Sequence, residues 1–104
     1  MAVDFSLSTD QQAIADAFGG FFSNESNVDV VRAAEPLGHS AELWTKLVAM
    51  EAPGMAASLE SGGGGASLSE LVVVAEALGA ALAPAPLIEH WVASQLFSPS
   101  DVIA

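Results

Sequence analysis

SLSELVVVAEALGAALAP, residues Ser67 to Pro84, can be read as a buried strand or as a buried helix, and the choice sets the architecture of the whole chain. Its three consecutive valines, Val72 to Val74, suit a strand. Against them stand a length beyond ten residues, the alanines, and Glu76. The stretch also opens on Ser67 and Glu70, three residues apart, the spacing of a capping box. The helix reading wins on these grounds. Leu68, Leu71, Val72, Ala75, Leu78, Gly79 and Leu82 recur at helical spacing, while Val73, Val74 and Ala81 fill other faces. A helix apolar nearly all round is one buried on most sides. A chain of 104 residues has little protein to surround it. The helix therefore predicts a partner, either further domains of the same protein or another subunit.

Immediately upstream lies ESGGGGA, Glu60 to Ala66. A phosphate loop needs a lysine after its glycines, and none follows. A dinucleotide fingerprint needs a preceding strand, whereas the residues before Gly62 read as helices and a short irregular run. Glu60 and Glu70 would also repel an anion. A domain linker is disfavoured because neither flank, at roughly 50 residues, carries enough apolar surface to stand alone. The remaining reading is a sharp, hinge-like turn into the capped helix, with the glycines supplying backbone freedom.

Further from this centre, Ser8 and Gln11 form another capping-box pair, followed by Ile14, Ala17, Phe18, Phe21 and Phe22 at helical spacing. The predicted helix runs from Thr9 to Ser23 and tolerates Gly19 and Gly20 only by burying its phenylalanines. Ser26 with Asp29 predicts the start of a second helix that stops near Glu35, ahead of Pro36 and Gly38. Ser40 caps a third, with Leu43, Trp44, Leu47 and Val48 on one face and Pro53-Gly54 as its stop. Pro84 ends the fourth, and Pro86 begins a fifth whose shared face holds Ile88, Trp91, Val92 and Leu96 and which ends around Phe97. The fold class expected is all-α, an orthogonal or up-down bundle of about five helices forming one domain over residues 1–104. The tail SPSDVIA, Ser98 to Ala104, reads like a cut in a longer protein.

Composition narrows function. Thirteen acids against Arg32 and Lys46 give a formal net charge of −11, which argues against nucleic acid or an anionic membrane as partner. With no cysteine there is neither a disulfide framework nor a cysteine metal site, which suits a cytoplasmic location. The most membrane-like window, Leu71 to Ile88, contains Glu76, Pro84 and Pro86 and falls short of the roughly 20 residues a span needs. No targeting segment is visible at the acidic N-terminus. His39 lies in a turn and reads as a surface histidine. His90 follows Glu89, and helix neighbours do not face each other, so the two form no dyad or metal pair. Glu76 is read as a rim residue, or as one paired with a backbone group or Arg32, since an unpartnered buried carboxylate is costly. No catalytic or metal-binding set can be assembled from the residues.

In succession, DFSLSTDQQAIADAFGGFF, AELWTKLVAMEAPGMA and SGGGGASLSELVVVAEALGAALAPAPL resemble the N-terminal helical domain of the flavin-dependent acyl-CoA dehydrogenases, in the family's order and spacing. The resemblance implies a longer oligomeric parent with a middle β domain and a C-terminal α domain. There FAD is bound between those domains and a neighbouring subunit, and a glutamate takes the α-proton of an acyl-CoA thioester while the β-hydride passes to the flavin. It implies that this chain holds neither the catalytic base nor the main flavin contacts and does not catalyse alone. It further implies a share in walling the acyl pocket, which by position falls to Pro86, Leu87, His90 and Trp91. Leu87 and Trp91 are equally readable as ordinary core. The chain departs from the family pattern at Ser58 to Ser61 before the glycines, and at Gly19, Gly20 and Ala80, where basic residues are usual. The resemblance places the parent in fatty acid or steroid catabolism, and two alternatives stay open: a stand-alone helical interaction module, and a non-catalytic partner subunit of a heteromeric dehydrogenase of the kind associated with steroid side-chain breakdown.

Overall fold

The computed structural model describes residues 7–96. Five α-helices follow in order: α1 (Thr9–Glu25), α2 (Val28–Ala34), α3 (Ala41–Ala49), α4 (Leu68–Ala80) and α5 (Leu87–Gln95), with a single 3-10 turn at Leu59–Ser61 before α4. Among the described residues there is no strand. The valine run is helical, and both halves of its capping box form: the Glu70 amide donates to Ser67 Oγ at 3.2 Å and the Ser67 amide donates to Glu70 Oε1 at 3.3 Å.

The N-terminal box forms in the same way, with Ser8 and Gln11 exchanging bonds of 3.0 and 3.1 Å. α1 then runs past Ser23 to Glu25, and Ser26 does not start α2 as expected. Ser26 is buried and its hydroxyl donates to the Ala81 carbonyl at 3.1 Å, tying α1 to the end of α4. Asn27 caps α2 instead, its side chain accepting from the Val30 amide at 3.0 Å. Either residue suits a cap, and the tertiary bond available to Ser26 decides between them. α2 ends where expected, with Glu35 as C-cap and Gly38 in the left-handed region at φ 78°.

α3 and α4 stop earlier than their prolines require. Beyond each last turn a non-glycine residue adopts positive φ, Glu51 at 62° and Leu82 at 50°. The following amide then reaches back to the helix: Ala52 donates to the Leu47 carbonyl at 3.1 Å and Ala83 to that of Leu78 at 3.0 Å. These are Schellman ends built without glycine, and left-handed backbone costs an L-residue roughly 1–2 kcal/mol. Leu82 is 71% exposed, so little burial offsets the cost. Leu82→Gly is expected to stabilise the chain by about 1 kcal/mol, raising its melting midpoint by about 5 °C. A lowered midpoint in calorimetry would contradict that assignment.

Phe18, Phe22, Leu43, Leu47, Val74, Leu87 and Trp91 form the core, with Ile14, Phe21, Trp44, Leu71 and Leu78 packed against it. α1 and α4 are the two helices most closely associated. The molecule is about 20 Å in its shortest dimension against 45 and 43 Å in the others. With packed helix axes about 8–10 Å apart, that Cα thickness corresponds to two layers. Its own chain covers α4 on one side only, as expected for so short a protein. The core-facing side holds Val73 and Val74, while Leu68 and Val72 are 76% and 55% exposed and Glu76 is exposed, as a rim residue. On α5 the core side likewise holds Leu87 and Trp91, leaving Ile88, Val92 and Leu96 outside. The tail from Ser98 and the expected helix end at Phe97 lie outside the described residues.

Candidate functional site

An open groove of about 250 Å³ runs between α4 and α5. Leu68, Leu71, Val72 and Ala75 form one wall, Ile88, Trp91, Val92 and Gln95 the other, with Ala56 completing the lining. The two polar tips nearest it are already engaged. Trp91 Nε1 donates to the Ala52 carbonyl at 2.9 Å and Gln95 Nε2 to that of Ala56 at 2.6 Å. These bonds pin α5 to the segment before the 3-10 turn and leave the groove presenting methyl groups and the Trp91 ring. Such a surface can select by shape and apolar contact.

The four residues expected to wall a pocket differ in burial. Leu87 is fully buried in the core. Trp91 is buried and also lines the groove. His90 is exposed, its ring edge against Trp44 at a centroid distance of 5.6 Å. Pro86 is exposed at the N-cap of α5. At about 100° per residue, Leu87, His90 and Trp91 fall within one arc of α5, and Trp91 lies at its edge nearest Ile88, where it reaches the groove. The groove residues Leu68 and Ile88 were legible only as members of apolar stripes, because spacing alone does not say which stripe meets the core.

A second cleft, of about 560 Å³, lies at the glycines and is lined in part by Phe18, Val48, Met50, Pro53 and Gly62 to Gly64. Its backbone donors are committed. The amides of Gly62, Gly63, Gly64, Gly65 and Ala66 donate to the carbonyls of Leu59, Ser58, Gly54, Ala57 and Met55, at 2.8–3.1 Å. Gly62 and Gly65 supply positive φ, at 85° and 61°. The run is thus a pinned turn rather than a loose hinge, and a phosphate would have to break its bonds to be held. The residues at the glycines do not fit the diphosphate of a dinucleotide cofactor such as FAD.

Charge is concentrated in acids. Lys46 Nζ meets Glu25 Oε2 at 2.5 Å and Glu42 Oε1 at 3.6 Å. Glu25, through its hydrogen bond, does most to hold the Lys46 ammonium above its usual pKa, with Glu42 adding to it. A raised lysine pKa stabilises the fold below the unfolded value of about 10.4 and ceases to do so as pH rises through the folded value. Stability of the wild-type chain is therefore expected to fall above about pH 10 more than that of Lys46→Met, measured by urea unfolding at each pH. Equal slopes would show the pair to be energetically idle, the common fate of exposed ion pairs. His39 is exposed, as expected, with Nδ1 3.4 Å from the Leu37 carbonyl. Among the described residues no cluster of three or more metal-ligating side chains occurs, and no helix is long and apolar enough to cross a membrane.

The described residues thus form a thin all-α domain with an apolar groove open on one face and backbone donors spent internally. The chain belongs to the acyl-CoA dehydrogenase family: a family model described as acyl-CoA dehydrogenase, N-terminal domain, matches residues 8–103. No significant match was found among curated proteins or among solved structures.

Proposed function

We propose that this chain is the N-terminal α domain of a flavin-dependent, cytoplasmic acyl-CoA dehydrogenase that desaturates an acyl-CoA thioester at its α,β bond. Its middle β domain, C-terminal α domain and oligomeric neighbours supply the base and the flavin contacts. FAD, when bound there, accepts the hydride. The chain's own part is to exclude water and to shape: the start of α5, with Pro86 and His90 exposed over the buried Leu87 and Trp91, forms part of the acyl wall, and the α4–α5 groove packs against protein beyond the chain.

The observation that carries this reading is the match to the N-terminal domain over residues 8–103, joined to four exposed large apolar residues on α4 and α5, Leu68, Val72, Ile88 and Val92. Pro86 and His90 lie outside the core, so Pro86→Ala and His90→Ala should leave stability nearly unchanged. In the flavin-loaded enzyme they are expected to shift the ratio of kcat/KM between short and long acyl-CoA substrates by about 10-fold. An unchanged ratio with both substitutions would remove the start of α5 from the acyl wall.

A further inference from the structure

We propose that the cleft between α2 and the end of α4 binds an α-amino acid with an apolar side chain, its carboxylate on Arg32 and its ammonium on Glu35. The site is separate from the α4–α5 groove and from the start of α5.

The cleft measures about 500 Å³. Val28, Val31 and Leu82 give it apolar walls, and Arg32 and Glu35 are the charged residues that line it. The neutral polar side chains there are spent. Ser26 Oγ donates to the Ala81 carbonyl at 3.1 Å, and the Asn27 side chain accepts from the Val30 amide at 3.0 Å. Arg32 and Glu35 are not spent. Both are exposed, and among the described residues neither enters an ion pair, whereas Lys46 holds two acids. Arg32 is the chain's one arginine.

Leu82 points to the same place independently. It keeps a left-handed backbone, φ 50°, while its side chain is 71% exposed at this cleft. Strain held at an exposed residue serves the position of that side chain rather than the core. Val28, facing the cleft from α2, is 63% exposed.

Charge and spacing select the ligand. An anion alone is opposed by the formal net charge of −11 and by Glu35, and a cation alone meets Arg32. A zwitterion escapes both objections. Side chains three residues apart on a helix start about 5–6 Å from each other, so a carboxylate and an ammonium carried on one carbon can reach both. The guanidinium fork suits a carboxylate, and the acceptor-only Glu35 requires an ammonium with protons to donate, which a quaternary nitrogen lacks. The ligand's apolar side chain then covers Val28, Val31 and Leu82.

The test titrates the ¹⁵N-labelled 104-residue chain with L-norleucine, with hexanoate, which is norleucine without its ammonium, and with pentylamine, which is norleucine without its carboxylate. The expected result is amide shifts confined to α2 and the end of α4, with affinity for norleucine about 5-fold above each of the others, the worth of one exposed ion pair. Arg32→Met should make norleucine bind no better than pentylamine, and Glu35→Gln no better than hexanoate. Both residues are exposed, so neither change should move the melting curve. Leu82→Gly should weaken norleucine by about 5-fold while raising the melting midpoint, which separates the side chain's part in binding from its part in folding. No saturable shift with norleucine, equal affinity for the three probes, or a preference for norleucine that survives Arg32→Met would each overturn the proposal.

Discussion

Gly63→Ala is expected to destabilise the chain by about 3 kcal/mol, a drop of about 15 °C in melting midpoint, although it adds a single methyl group. The new Cβ would overlap the Cβ, carbonyl carbon and carbonyl oxygen of Ala57. That carbonyl cannot withdraw easily. It accepts from the Gly65 amide at 2.9 Å, and the Ala57 amide donates to Gly54 at 3.2 Å. Moving Ala57 therefore loosens the whole pinned turn that delivers the chain to Ser67. Gly20→Ala makes the contrast. It lies inside α1 with nothing within 4 Å of an added Cβ, and removing a helix-interior glycine should stabilise by about 1 kcal/mol. Thermal unfolding of the two variants should move in opposite directions. If both are neutral, the glycine turn is not packed as described.

Trp91→Ala should cost about 4 kcal/mol, and Trp91→Phe about half of that. Trp91 is buried, and its indole N–H satisfies the Ala52 carbonyl across 39 residues of chain. Phenylalanine keeps most of the apolar contact and leaves that carbonyl without its donor. Alanine removes both and opens a cavity between α5 and the core. Because the same ring lines the groove, loss of binding in a Trp91 variant must be set against its loss of fold. Denaturant unfolding of both variants separates the two contributions. Equal destabilisation would assign the whole effect to packing and none to the indole bond.

The helices were legible where local chemistry fixes them. Ser8, Ser40 and Ser67 cap as their spacing predicts, and the valine run is helical because capping, alanine content and length agree against β-propensity. Legibility failed where a choice depends on distant residues. Ser26 and Asn27 are comparable caps in sequence, and the Ala81 carbonyl, 55 residues away, takes Ser26 out of the competition. The apolar rows of α4 and α5 each offer more than one face to a core, so Leu68 and Ile88 could not be told from Val74 and Leu87. Positive φ at Glu51 and Leu82 gives no signal either, since neither residue type favours it. The candidate pocket residues Pro86, Leu87, His90 and Trp91 came from the resemblance and not from residue chemistry. Packing against neighbouring elements sets Leu87 in the core, Trp91 between core and groove, and His90 against Trp44, which spacing alone does not reveal.

The central claim, that this domain works as the packing and wall-forming part of a flavoenzyme, is tested most directly by purifying the chain from its native cells with whatever is covalently or tightly joined to it. The visible spectrum is then recorded while a saturated acyl-CoA is added without oxygen. The expected result is an oxidised-flavin absorbance that bleaches as the acyl-CoA is desaturated. A preparation containing residues 1–104 that carries no flavin, with or without a bound partner, would contradict the claim.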